Sequence, residues 1–253
     1  YIKAEQYAAS ITDRILCVGS DVRDKYLSSA IGNADQYRIV RTGLDLNPFL
    51  TENDQAGMKA ASIRADLGIP ENAPVLLNVG RLDPSKGQIY SIRATAELAS
   101  NYPDLHLIIA GGGFFREKLE AETQRLMIEN KVHFLGHRDD IDILMKTSDI
   151  LVCTSIREGL SQVLVQAAAS GLPIVSFAVE GAAEVIEHGK TGYIVPIGNT
   201  KMIVDNLSKL LKSPEEAKNM SRAAKKVIGD EWSCQKMVND IDGVYTELLR
   251  IKQ

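Results

Sequence analysis

At 253 residues, 45% hydrophobic and 25% charged, the chain has average globular composition and enough length to bury a full core. A formal net charge of -4 excludes nucleic acid as the principal partner, because binding a phosphate backbone needs clustered Lys and Arg. Three widely spaced cysteines, Cys17, Cys153 and Cys234, suggest neither a disulfide framework nor a thiolate metal site, and a reducing, cytoplasmic compartment fits them.

The chain opens at Tyr1 inside a helical pattern over 1–10, as a fragment of a longer protein would. A strand over 14–18 and a helix over 21–30, capped by Ser20 or Asp21, follow. These elements are too few to form a domain. Gly43, Asn47, Pro48 and the polar residues 51–55 read as a linker. From Val75 onward, apolar runs at 75–79, 105–110, 132–135, 150–153, 173–177 and 193–195 alternate with helical stretches. Strands apolar almost throughout and separated by helices predict an α/β fold, a doubly wound parallel sheet covered on both faces. Three helices follow, at 200–211, 214–228 and 235–251. No run of 18 apolar residues and no signal-peptide pattern occurs.

Ligands bind such sheets at the carboxyl ends of the strands, so the residues just after each strand carry the functional signal. After the first strand comes Gly80-Arg81-Leu82-Asp83-Pro84-Ser85-Lys86-Gly87, with two cations around a turn ahead of a helix beginning near Lys86. A close-approaching glycine backbone, a helix amino terminus and Arg81 with Lys86 make an anion site; the alternative is a turn with solvated surface charges. After the fourth strand, Glu158-Gly159-Leu160-Ser161-Gln162 precedes a small-residue helix over 163–170. There Glu158 can reach sugar hydroxyls or cap the helix, and Gln166, eight residues on, can grip another part of an elongated ligand. Ala167, Ala168 and Ala169 indicate a helix packed closely on the sheet.

Gly111-Gly112-Gly113 lacks the spacing of either nucleotide fingerprint and reads as a tight turn. The absence of Gly-x-Gly-x-x-Gly after the opening strand disfavours a nicotinamide dehydrogenase. His106, His133, His137 and His188 have no metal-ligand spacing, and Asp140-Ile141-Asp142 sits where helix-capping acids are favoured.

Four ordered segments resemble glycosyltransferase family 4, the glycosyl transferases group 1 with the GT-B fold. They are Arg41-Thr42-Gly43-Leu44-Asp45; Gly80-Arg81-Leu82 through Lys86-Gly87; Glu158-Gly159-Leu160 through Gly171-Leu172-Pro173-Ile174-Val175; and Glu184-Val185-Ile186 through Gly189-Lys190-Thr191-Gly192. The resemblance implies a Rossmann-like C-terminal half of a retaining glycosyltransferase, moving a sugar from a UDP- or GDP-sugar donor to an acceptor hydroxyl in polysaccharide or glycolipid assembly. By position, Arg81 and Lys86 would hold the donor diphosphate and Glu158 the donor sugar. Amides of Gly159, Leu160, Ser161 and Gln162 would assist, and Leu135, Gly136, His137 and Arg138 would lie beside the base. Gln166 stands where the family has a second acid for the ribose, so charge-assisted strength is lost there.

Neither a cofactor nor a metal is implied. On this resemblance residues 1–35 are the tail of an N-terminal Rossmann-like domain otherwise missing, and 36–70 are a linker leading in. Residues 71–234 form the nucleotide-sugar-binding domain, and 235–253 a helix packing back on the N-terminal domain. The missing domain would contact a saccharide or lipid-linked acceptor and make any peripheral membrane contact, and the fragment alone would be inactive. Two other readings stay open: a non-catalytic nucleotide-sugar-binding partner subunit, and a sugar-nucleotide epimerase of the same architecture.

Overall fold

A computed structural model describes residues 1–51 and 54–251. Glu52 and Asn53 of the expected linker, with Lys252 and Gln253 of the last expected segment, lie outside the described residues. The chain begins with α1 (Ile2–Ser10), β1 (Ile15–Cys17), α2 (Ser20–Ser28) and β2 (Tyr37–Ile39). β1 and β2 pair in parallel as a two-stranded sheet. Next come α3 (Asn47–Leu50), started by Pro48, and α4 (Asp54–Asp66), which packs against a later helix, α7. Much of the stretch expected as linker is thus helical. Alanines Ala56 and Ala60 on one face of α4 bury against Ile143, a pattern too sparse to stand out in the sequence.

The main sheet is laid down by β3 (Val75–Val79), α5 (Gln88–Leu98), β4 (His106–Ala110), α6 (Arg116–Arg125), β5 (Val132–Gly136), α7 (Ile141–Thr147), β6 (Ile150–Cys153), α8 (Gln162–Ser170), β7 (Ile174–Phe177), α9 (Ala182–Val185) and β8 (Tyr193–Val195). Its six strands are all parallel, in the order β5-β4-β3-β6-β7-β8. The direction of winding reverses between β3 and β6, which is the topological switch point where a doubly wound sheet opens a crevice. The expected fold class is therefore present. Continuous apolar runs belong in central strands covered on both faces, and every residue of β4, β6 and β7 is buried.

α10 (Thr200–Lys212), α11 (Pro214–Lys226) and α12 (Cys234–Ile251) complete the chain. α12 returns to the first sheet, where Glu247 pairs with Arg14 at 2.6 Å and with Arg38 at 2.8 Å. Gly43 lets the chain cross this return closely, because a Cβ there would lie 2.5 Å from Cys234 Cα. Among the described residues no helix is long and apolar enough to cross a membrane.

Two expected caps are replaced by other contacts. At α2 the capping position is Gly19, and no side chain caps the helix. Ser20 instead donates its N–H to Glu184 Oε1 at 2.6 Å, and Asp21 accepts the Gly181 N–H at 2.9 Å. Asp140 occupies the capping position of α7 without making the cap bond, since Arg138 holds its carboxylate through two bonds of 2.7 and 2.6 Å. At α2 the competing partners are tertiary, and at α7 the competitor is a cation two residues away in the chain.

Candidate active site

The crevice at the switch point is built by the loops after β3, β4, β5 and β6. Asn78, 3% exposed in β3, ties its two sides together, donating to Val152 O at 2.8 Å and Thr154 Oγ1 at 3.2 Å. A buried amide that satisfies groups on the neighbouring strand fixes where both strands end. Sequence reading missed Asn78 because its partners lie more than 70 residues away.

The β3 loop runs beside the glycine-rich β4 loop. Gly80 N–H bonds Ala110 O at 2.9 Å and Leu82 N–H bonds Gly112 O at 2.8 Å. Gly111 has φ +149, and a Cβ on it would overlap the Gly80 carbonyl oxygen. Gly111-Gly112-Gly113 therefore serves a close backbone approach, consistent with its reading as a turn.

After Leu82 the chain makes one 3₁₀ turn, Pro84–Lys86, then passes through left-handed Gly87 into α5. Lys86 thus precedes the helix instead of starting it. Gly87 sits at φ +60 where a Cβ would overlap the Thr154 carbonyl oxygen, and Ile156 N–H bonds Ser85 O at 2.7 Å. These contacts strap the β3 and β6 loops together.

That strapping brings Lys86 and Glu158 into contact, Nζ to Oε1 at 2.6 Å, with side chains 24% and 13% exposed. Arg81 is mounted differently. Its Nε donates to Asp83 Oδ2 at 2.7 Å while the side chain is 75% exposed, so the outer edge of the guanidinium is open. Asp83 also accepts from the Ser85 N–H at 2.8 Å and from the Ser85 hydroxyl. The Ser85 hydroxyl, then the Arg81 side chain and Ser85 amide, outweigh desolvation and hold the Asp83 carboxyl down at about 2. Asp83 stays ionised and anchors Arg81, a role that the sequence signalled only through the nearness of the two residues.

On the other side of the crevice, α8 begins at Gln162 after Ser161, with no side-chain cap. Its first amides are available to an anion. Ala167, Ala168 and Ala169 are fully buried against the sheet. Gln166 lies in the second turn of α8, half-buried, while Glu158 lies in the loop before it, so one helix does not carry both. Leu160 packs beside Gly181, and Gly159 approaches Val18, just after β1, 3.4 Å from a Cβ built on the glycine.

Gly80, Arg81, His137 and Arg138 line a cavity of about 460 Å³ with Val79, Gly111 and Ile141. His137 is 82% exposed and lies 3.2 Å from Asp139. Gly136 passes through φ +70, and its carbonyl accepts the Gly111 N–H at 2.7 Å. The Leu135 side chain packs on the core, so its backbone is what it can offer a ligand. Glu158 and Gly159 line a separate cavity of about 390 Å³ against Val22, Lys25 and Tyr26. The expected residues thus fall into two groups linked by Lys86, whose side chain passes 3.5 Å from a Cβ built on Gly80 and pairs with Glu158, and the arrangement offers two cations and a helix amino terminus to an anion.

The motif residues Arg41 and Glu184 also meet, at 2.8 Å, with Arg41 lying 5.1 Å from the Trp232 ring centroid. With the Ser20 contacts, Glu184 joins the first sheet to the main one. His106 and His133 form a pair at 3.0 Å between β4 and β5, at the end of the sheet away from the crevice.

The sequence model of the family described as glycosyl transferases group 1 matches residues 59–227. N-acetyl-alpha-D-glucosaminyl L-malate synthase of Bacillus anthracis is 27% identical over 219 residues, 85% of this chain and 57% of that protein. UDP-Gal:alpha-D-GlcNAc-diphosphoundecaprenol alpha-1,3-galactosyltransferase of Escherichia coli is 24% identical over 249 residues, 97% of this chain and 63% of that protein. The chain therefore spans less than two thirds of the length of these curated relatives. Among solved structures, HepE of Anabaena in complex with UDP and glucose superposes with a TM-score of 0.86 at 24% identity, covering 96% of this chain and 66% of that one.

Proposed function

As a chain that belongs to the glycosyl transferases group 1 family, we propose, it supplies the donor site of an enzyme that transfers a sugar from a nucleotide-diphosphate donor to an acceptor hydroxyl. The observation carrying this reading is the convergence at the switch point of Arg81, the Lys86–Glu158 pair and the uncapped start of α8. The diphosphate would lie against Arg81, Lys86 and the α8 amides. Glu158 would accept hydrogen bonds from the sugar. The base would enter the cavity lined by Gly80, His137 and Arg138, beside the backbone of Leu135 and Gly136, and the ribose would meet Gln166.

As the bond from the anomeric carbon to the diphosphate breaks, negative charge builds on the leaving phosphate. Preorganised cations and helix-end amides stabilise that charge without reorganising at the moment of reaction. This reading uses neither a metal nor a cofactor. With the sugar held by Glu158, attack from the face of the departing diphosphate gives retention. Acceptor contacts would come from beyond the main sheet, and closure over the crevice would exclude water. Names among the relatives, the galactosyltransferase acting on a diphosphoundecaprenol-linked sugar included, support a place in glycan or glycolipid assembly.

Calorimetric titration with UDP, UDP-glucose, GDP and GDP-mannose tests the reading, UDP-glucose first because HepE is bound to UDP and glucose. One nucleotide series should bind, and an Arg81→Ala, Lys86→Ala variant should lose at least about 100-fold, since each bond to a charged group contributes about 1.5–3 kcal/mol. Binding that survives the double substitution would refute the assignment.

A further inference from the structure

Gln88 opens α5 directly after the site's turn and is only 1% exposed. Its Nε2 donates to Arg81 O at 3.0 Å and, at 3.4 Å, reaches Gly80 O. The other end of the same amide, Oε1, is buried with no hydrogen-bond partner among the described residues. An unmet buried acceptor is unfavourable, and native proteins keep few of them. Turning the amide over gives no relief, because Oε1 would then face two carbonyl oxygens. A methionine would fill the same space without the orphaned oxygen, but it would offer the Gly80 and Arg81 carbonyls no donor. What the position demands is therefore the pair of N–H donors, and the orphaned oxygen comes with them.

Those donors act on the segment that carries Arg81. In a trans peptide the C=O and N–H point in opposite directions, so holding a carbonyl inward sets the orientation of the whole peptide plane. Gln88 holds the Arg81 carbonyl, while the Leu82 N–H of the same peptide is committed to Gly112 O at 2.8 Å. Gly80, at φ +158 and without a Cβ, is where this backbone turns most easily, and Gln88 adds to the restraint that the Asp83 N–H, 3.0 Å from the same Arg81 carbonyl, also supplies. Asp83 anchors the Arg81 side chain at Nε, and Gln88 anchors the backbone on which that side chain is mounted.

We infer that Gln88 is a positioning residue for phosphate recognition: its buried amide holds the Gly80-Arg81 turn in the conformation that presents Arg81 to the diphosphate of a nucleotide ligand. The inference rests on the donor-site reading above. It predicts an unequal effect: Gly80 and Arg81 of the same turn also line the base cavity, but only the diphosphate meets the Arg81 cation, so losing the amide donors weakens the grip on phosphate more than that on the base.

The test compares UDP with uridine, or GDP with guanosine if the guanine series is the one that binds. Diphosphate binding is read by calorimetry and nucleoside binding by NMR titration, on this chain and on Gln88→Met and Gln88→Glu variants. Gln88→Met removes the donors together with the orphaned acceptor, and Gln88→Glu sets an acceptor against the two carbonyls. Both variants should bind the diphosphate at least 10-fold more weakly, and lose no more than about threefold for the nucleoside. Diphosphate affinity within twofold of the parent overturns the inference, as does an equal loss for diphosphate and nucleoside, which is what a merely structural role would produce. If only one variant folds, it carries the comparison alone; if neither folds, Gln88 serves the domain generally and the inference fails. A parent chain that binds neither nucleotide series fails the donor-site reading itself, a result distinct from a parent that binds and variants that bind equally well.

Discussion

Lys86 and Glu158 come from loops 72 residues apart and meet at 2.6 Å, so one pair of substitutions can separate their mutual support from their proposed role toward a ligand. Both side chains are mostly enclosed, 24% and 13% exposed, which places the contact between a screened surface pair and a fully buried one. A hydrogen bond between charged groups in such a setting contributes about 1.5–3 kcal/mol. Lys86→Met leaves the Glu158 carboxylate without its cation, and Glu158→Gln leaves the Lys86 ammonium without its anion. Each should lower stability by roughly that amount, a few degrees in thermal midpoint for a chain of this size.

In the double variant no charge is stranded, so its loss should fall short of the sum of the single losses by about 1.5 kcal/mol or more. Urea denaturation of the four proteins, with m-values checked for constancy, gives this coupling energy directly. Nucleotide titration on the same four proteins should show no matching recovery, because the double variant still lacks the Lys86 cation. A coupling energy below about 0.5 kcal/mol would refute the pairing. Restored nucleotide affinity in the double variant would refute the role given to Lys86.

Two further outcomes follow from the geometry. Burial, and secondarily His106, lowers the His133 pKa to about 4; burial and then Lys131 lower that of His106, which Asp104 opposes. A folded-state histidine pKa below the unfolded value means that the unfolded chain takes up protons first, so stability falls as pH drops from about 6.5 toward 4. For His133 this amounts to about 2 kcal/mol between pH 7 and pH 5, and urea titrations across that range should show a flatter pH dependence for His133→Gln; identical slopes would sink the argument. Gly87→Ala must place a Cβ against the Thr154 carbonyl oxygen from a left-handed backbone, so it should cost at least about 2 kcal/mol and weaken nucleotide binding as the two loops part. An alanine variant with parental denaturation and titration curves would show that the loops are not strapped there.

The sequence by itself determined the class of the sheet and the addresses of the loops. Short apolar runs such as 75–79 and 150–153, alternating with helical stretches, read as strands covered on both faces, and glycines at 80, 87 and 111 fall where the backbone turns or approaches closely. Those signals are local, carried by residues a few positions apart. The tertiary structure alone decided which addresses meet. It set Lys86 on Glu158, Asn78 on Val152 and Thr154, Glu184 on Arg41 and Ser20, and His106 on His133. It also turned a residue expected as a cap, Asp21, toward Gly181, 160 residues away, and made a helix of much of the stretch that read as linker. The physical reason is common to these cases. A cap or a periodic face is judged against its immediate neighbours in the chain, whereas a polar side chain at a strand end goes to whichever partner the packed sheet brings closest, and that partner is fixed only once the strands have taken their order.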